Sequence, residues 1–292
     1  MSILITGATG LLGRAIYAQC QAQFPTLDII GTGFSRAQAP LVQLDLNDAA
    51  AVRAFFAKYQ PSVVIHAAAE RKPDVCENDP EQTLALNVET SRLLAELCHE
   101  QQSRLFFIST DYVFDGKNAP YAENATPNPL NFYGKSKMMA EQAIVAINPS
   151  HTIIRVPVLY GEVEYLAESA VTVIAQQIQQ NPQSSHDHWA VRYPTHVADV
   201  AQTIADLIAL PAAQSAGIFH VSDSQAMTKY DMACVIAAAL GQNASSLVAV
   251  PEPTQSAARP YNCALKDTRL KQLGIVHSRK FDVAIQQIIT RS

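Results

Sequence analysis

Ser2-Ile3-Leu4-Ile5-Thr6-Gly7-Ala8-Thr9-Gly10-Leu11-Leu12-Gly13 opens the chain, and the reading of this stretch decides the fold. Ile3 to Thr6 form a short, β-branched run that is apolar on both faces, as expected of a strand buried between two helix layers. The run passes directly into three glycines and then into a helical stripe. Backbone N–H groups and a helix N-terminus therefore converge where a pyrophosphate would sit. The expected contacts to a dinucleotide here are Gly7, Thr9, Gly10, Leu11, Leu12 and Gly13.

Working outward, further apolar runs occur at Leu27 to Ile30, Leu41 to Leu44, Val63 to Ala67, Leu105 to Ser109 and Thr152 to Val156. Helical periods lie between them. Val52, Phe55, Phe56 and Tyr59 fall at i, i+3, i+4 and i+7 behind Asn47 as the expected cap. Asp79-Pro80-Glu81-Gln82 reads as a helix start, with a capping side chain followed by proline at the first helical position. This alternation predicts an α/β fold, a doubly wound parallel Rossmann sheet.

After Val156 the rhythm loosens, most of all over Asn181 to Thr195 and Pro251 to Asn262. Helices are expected at Glu168 to Gln180, Val197 to Ile208, Thr228 to Leu240 and Phe281 to Ile289, with a strand near Ile218 to Val221. The expected organisation is a cofactor-binding Rossmann domain over residues 1–157, to which 196–222 returns. A smaller C-terminal substrate lobe, made of 158–195 and 223–292, overhangs the carboxyl edge of the sheet, where open α/β sheets place ligands.

The composition narrows the function classes. A net charge of −5 with 16% charged residues, well under the usual quarter or so, gives no basic surface for nucleic acid. No apolar run approaches the ~20 residues a bilayer requires; the longest, Met232 to Leu240, falls far short. A strand begins almost at Met1, leaving no room for a secretory leader, so a cytoplasmic location is expected. Cys20, Cys76, Cys98, Cys234 and Cys263 are scattered and are expected to be reduced thiols. His186, His188 and His196 lack Cys, Asp or Glu partners at ligand spacing, so no metal is expected. His66 reads as a core histidine, and Tyr230, Met232 and Cys234 as ordinary residues of a helix face.

The chemistry-bearing residues follow the strand ends. An NAD site normally carries an acid at the end of the second strand. Here Ser35 and Arg36 stand instead, and a guanidinium binds a 2′-phosphate in a fork, so NADP(H) is the expected cofactor. Asp45 and Leu46 past the third strand and Ala67, Ala68 and Ala69 past the fourth complete the expected cofactor contacts, Asp45 being equally readable as a helix cap. Tyr133 and Lys137 stand at i and i+4 on one helix face. A phenol with a pKa near ~10 is a poor acid–base group at neutral pH, and a cation beside it, with the positive nicotinamide of the oxidised cofactor, favours its charged form. The Thr110 hydroxyl emerges at the end of the fifth strand, placed to polarise a carbonyl, and Asp111 follows it.

These residues carry a resemblance. The glycine spacing is similar to that of extended short-chain dehydrogenase/reductases. STDYVFDG at Ser109 to Gly116, PLNFYGKSK at Pro129 to Lys137, and Arg259-Pro260-Tyr261-Asn262 ahead of Leu265 and Asp267 resemble the dTDP-4-dehydrorhamnose reductase (RmlD) family over almost the whole chain. The resemblance implies that Thr110, Tyr133 and Lys137 are the catalytic trio, with Tyr133 and Lys137 also touching cofactor. It implies that Gly7, Gly10 and Gly13 bind that cofactor, and that the substrate is a 4-keto-6-deoxy nucleotide sugar. Thr110, Asp111, Arg192 and Arg259 are the expected substrate contacts, the two arginines at the diphosphate. A second resemblance within that family is to the regulatory β-type subunits of methionine adenosyltransferase. It is carried by AAERKPDV (Ala68 to Val75), YGEVEYLAESAVTV (Tyr160 to Val173), Asp187 to Trp189, RYPTHVADVA (Arg192 to Ala201) and Met227 to Ala237. This implies a non-catalytic NADP(H)-binding subunit that retains the trio and whose partner is a methionine adenosyltransferase catalytic subunit. Such subunits carry a C-terminal tail for that partner, and the present sequence ends at Ser292. Self-association as a homodimer is left open.

Overall fold

The structure is a computed structural model that describes residues 2–252 and 257–291. Its first half runs β1 (Ser2–Thr6), α1 (Leu11–Gln23), β2 (Asp28–Gly33), β3 (Val42–Gln43), α2 (Ala49–Tyr59), β4 (Val63–His66), α3 (Pro73–Asn78), α4 (Pro80–Leu84), α5 (Thr90–Glu100), β5 (Arg104–Thr110), α6 (Phe132–Ile147) and β6 (Thr152–Val156). The second half adds β7 (Leu159–Tyr160), α7 (Thr172–Gln180), β8 (Ser185–Asp187), β9 (Thr195–His196), α8 (Val197–Ala209), α9 (Ala212–Ser215), β10 (Gly217–His220), α10 (Lys229–Ala239), β11 (Val248–Val250), α11 (Thr268–Gln272) and α12 (Phe281–Arg291).

Seven strands form one sheet in the order β10-β6-β5-β4-β1-β2-β3. Every neighbouring pair is parallel. The chain winds one way from β1 to β3 and the other way from β4 onward, so the crevice at the carboxyl ends of β1 and β4 is the switch point of a Rossmann sheet.

Side chains alternate between the two faces with the period of the pleat. Ile3, Ile5, Ile65, Phe106 and Ile154 pack with α1 and with Val200, Ile204 and Leu207 of α8. Leu4, Val64, Phe107 and Ile153 pack on the opposite face with Phe56 of α2, Leu94 of α5 and Ile144 of α6. A separate apolar cluster holds the second-half lobe together, with Ile174 and Ile178 of α7 against Met232 and Ile236 of α10 and Phe281 and Ile285 of α12.

Several local expectations change. The cap of α2 is Asp48, which accepts from the N–H groups of Ala50 and Ala51, rather than Asn47. Asn47 donates its own N–H to Asp45. The carboxylate one position later stands where the first-turn donors point, so it takes them. The helix expected from Glu168 begins at Thr172, because Ser169 spends its hydroxyl accepting from the N–H groups of Val171 and Thr172. Asn181 to Thr195 contains β8, which pairs with β11, and β9 at its end pairs with β7. Of the stretch Pro251 to Asn262, residues 253–256 lie outside the described residues. The starts at Asp79 and Thr228 stand as read, Thr228 in a reciprocal capping box with Asp231. His66 is packed in the core between Thr6 (2.7 Å) and Ser91 (3.1 Å). Burial, with Lys137 nearby, pushes it down to about 3.

One ion pair lies inside this core. Arg155 of β6 and Glu141 of α6 are both buried. They meet through two hydrogen bonds, Nε to Oε1 at 2.9 Å and Nη2 to Oε2 at 2.6 Å. Ser109 at the end of β5 also donates to Glu141. Removing one partner of such a pair leaves a stranded buried charge, whereas removing both does not. Arg155→Met is therefore expected to lower the unfolding free energy by about 3–5 kcal/mol, and Arg155→Met/Glu141→Leu to recover at least half of the loss, as measured by urea denaturation.

Candidate functional site

A cavity of about 790 Å³ runs along the carboxyl edge of the sheet from the end of β2 to the second-half lobe. At one end is the glycine loop. Gly7 has φ +69°, in the left-handed region, and a Cβ there would stand 2.8 Å from the Ala68 nitrogen. A Cβ on Gly13 would lie 2.0 Å from the Gly7 carbonyl oxygen. Only bare backbone fits, which presses the loop onto β4 and the first turn of α1. That helix has no side-chain cap and no acid in its first turn. Its N–H groups and dipole face the cavity without a built-in anion, so the loop fits a pyrophosphate.

Gly7, Thr9, Gly10, Leu11, Leu12 and Gly13 line this end, joined by Asp45, Leu46, Ala67, Ala68 and Ala69. Arg36 also lines it, but the guanidinium is engaged with Glu164 at 3.1 Å. Ser35 is exposed and does not line the cavity. β2 continues to Gly33 rather than stopping at Ile30, and Phe34 and Arg36, on either side of Ser35, are the residues of that turn that line the cavity.

Thr110, Tyr133 and Lys137 lie together at the middle of the cavity. β5 delivers Thr110 as its last residue, while α6 delivers Tyr133 and Lys137 from its first turns, capped by Asn131, which accepts from the Gly134 N–H at 2.9 Å. The Thr110 hydroxyl lies near the Tyr133 phenol and opposes the upward push that burial gives it. It is also 3.1 Å from Asp111 Oδ1. Lys137 Nζ sits 3.9 Å from the centre of the Phe107 ring. Burial keeps the Tyr133 phenol protonated, above its ordinary range. It also pushes Lys137 down to about 7, against the nearby Glu141 carboxylate. Asp111 is pushed up to about 7 by burial, opposed by Thr110 and Arg192.

The lobe end carries the cations. Arg192 pairs with Asp187 at 2.8 Å and Arg259 with Asp74 at 2.7 Å. Both arginines line the cavity, with Lys229 at the start of α10 and Arg71 past β4. Sequence reasoning missed Lys229 and Arg71. The only local signal was the Thr228 cap, which places residue 229 at a helix N-terminus but does not say that it faces a ligand. Burial lowers the Lys229 ammonium from its usual value, and Arg192 and Arg259 nearby add to this. His188 bonds Thr228 and His196 caps α8. His186 is bonded to Ser184.

The Asp111 shift has a measurable sign. Its folded value, about 7, is above the unfolded 3.8, so between these values the folded state holds a proton that the unfolded state has lost. The contribution of this group to stability falls as pH rises through that window. The unfolding free energy of Asp111→Asn relative to wild type is expected to rise between about pH 4 and about pH 7 and to level off above, in urea titrations at a series of pH values.

The profile described as RmlD substrate binding domain matches residues 1–292. Methionine adenosyltransferase 2 subunit beta of Bos taurus is 44% identical over 289 residues, covering 98% of this chain and 86% of that protein. The dTDP-4-keto-6-deoxy-D-glucose reductase of Streptomyces niveus is 30% identical, over 97% of this chain and 95% of that protein. Among solved structures, a dTDP-4-dehydrorhamnose reductase from Clostridium acetobutylicum superposes with a TM-score of 0.86 at 28% identity, covering 100% of this chain and 99% of its own. With a family profile matched over residues 1–292, the chain belongs to the RmlD substrate-binding-domain family.

Proposed function

We propose that the protein is an NADP(H)-dependent reductase of a 4-keto-6-deoxy nucleotide sugar, acting as a dTDP-4-dehydrorhamnose reductase does. The observation that carries this reading is that one cavity is lined by the uncapped start of α1, by Thr110, Tyr133 and Lys137, and by Arg192 and Arg259. The glycine loop would hold the pyrophosphate, Asp45, Leu46 and Ala67 to Ala69 the adenosine side, and Arg36 the 2′-phosphate. The absence of an acid at the end of β2 supports NADP(H) over NAD(H).

The glycine loop and Lys137 would hold a reduced nicotinamide cofactor, which would supply hydride for the carbonyl carbon. Tyr133, kept protonated by burial, gives its proton to the carbonyl oxygen, so that the carbonyl becomes an alcohol. Thr110, with Asp111 beside it, positions that oxygen. Lys137 holds the cofactor ribose and stabilises the phenolate left behind. Arg192 and Arg259 take the diphosphate in their planar forks. A cytoplasmic location belongs to this reading, and no described helix is long and apolar enough to cross a membrane.

A second reading is supported by the 44% identity to a methionine adenosyltransferase β subunit. In it the chain binds NADP(H), turns nothing over and associates with a methionine adenosyltransferase catalytic subunit. The trio does not separate the two, but turnover does. Under the reductase reading, wild type consumes NADPH with dTDP-4-dehydrorhamnose, and Tyr133→Phe loses about 10²- to 10⁴-fold in kcat. No consumption by wild type would remove the reductase reading for that substrate. Capture of a methionine adenosyltransferase catalytic subunit by both proteins alike would favour the second.

A further inference from the structure

The segment between β7 and α7 is clasped to the cofactor end of the cavity by a chain of ion pairs. Glu168, 4% exposed, takes both terminal nitrogens of Arg14 on α1, at 2.8 and 2.7 Å. Arg14 also donates to the Thr9 carbonyl of the glycine loop at 2.9 Å, and Arg71 donates to the Glu168 carbonyl at 2.6 Å. Four residues earlier, Glu164 is tied to this clasp through its N–H, which donates to Glu168 Oε2 at 3.0 Å. Its carboxylate reaches out to Arg36 at 3.1 Å and to Arg14 at 3.5 Å.

The two acids have different freedoms. Glu168 is buried and held in a two-point pair with Arg14, and only its far oxygen comes within 3.9 Å of Arg36. Glu164 is 53% exposed and makes the close contact with the guanidinium at the end of β2. It brings to that place the acid that the end of β2 lacks, from 128 residues away in the chain.

We propose that Glu164 sets the choice between the two forms of the dinucleotide. This rests on the reading that the cavity binds such a cofactor. A ribose 2′-hydroxyl leaves the Arg36–Glu164 pair intact and finds in Glu164 an acceptor. A 2′-phosphate must take Arg36 from Glu164 and then stand beside the displaced carboxylate, which repels it. Arg36 favours the phosphate, Glu164 opposes it, and the chain accepts both forms with a narrowed preference for NADP(H).

The test is titration of wild type, Glu164→Gln, Arg36→Gln and the double variant with NADPH and with NADH, followed by calorimetry. Glu164 is exposed, so its replacement by the isosteric amide leaves the fold standing. For Glu164→Gln the NADPH dissociation constant is expected to fall about two- to fivefold, the range for an exposed charge pair, while that for NADH stays the same or rises. In the Arg36→Gln background, where the phosphate has lost its guanidinium, the gain for NADPH is expected to shrink. An equal change for both dinucleotides, or none for NADPH, overturns the proposal and leaves the cofactor reading intact. Failure of wild type to bind either dinucleotide overturns the cofactor reading and the role of Glu164 with it.

Discussion

Gly13 lies so close beneath the Gly7 carbonyl that a single added carbon would sit 2.0 Å from its oxygen. Because neither residue carries a Cβ, the first turn of α1 can press against the loop that leaves β1, and the loop against Ala68 past β4. The cofactor end of the cavity hangs from this contact. A second contact of the same kind sets the chemical end: a Cβ on Gly134 would stand 2.1 Å from the Tyr112 carbonyl oxygen. The start of α6 thereby rests on the turn that follows β5, which brings Tyr133 against Thr110. Two bare backbone contacts bring the uncapped N–H groups of α1 and the Tyr133 phenol to one cleft.

Around that cleft, charge is buried more than solvent would favour, and pairing decides which groups keep it. Arg155 and Glu141 satisfy each other within the core and remain an ion pair. Lys137, one helical turn from Glu141, has an aromatic face and a more distant carboxylate rather than a direct salt bridge, and it is held down to about 7. Asp111, with a hydroxyl for its neighbour, rises to about 7. An anionic ligand entering such a site favours the charged form of Lys137 and the neutral form of Asp111.

The parts of this architecture that were legible in the chain are those with a local signature. Short apolar runs alternating with helical stripes led to the parallel α/β sheet that is observed, and the Asp79 and Thr228 starts follow from cap chemistry within a few residues. The two- and three-residue strands β7, β8, β9 and β11 have no room for a period and left no trace. Asn47 and Asp48 are adjacent candidates of the same capping class, and only the direction of the first-turn N–H groups separates them. Lys229 and Arg71 are single cations whose meaning depends on which wall of the cavity they reach. The Arg14–Glu168 pair joins residues 154 apart, and no spacing rule spans that distance.

One face of the main sheet is covered jointly by α1 and by α8, which arrives from the second half of the chain. Gln202 of α8 reaches back to Gln23 of α1 at 2.9 Å, and Gln19 reaches forward to Gln202 at 2.8 Å. During synthesis the six strands β1 to β6 leave the ribosome before this cover exists. At ~5–20 residues per second, the layer of Ile5, Ile65, Phe106 and Ile154 stays partly open to water for several seconds until α8 emerges and docks. The apolar face of the nascent first half is thus fully covered only when the chain has returned to the sheet.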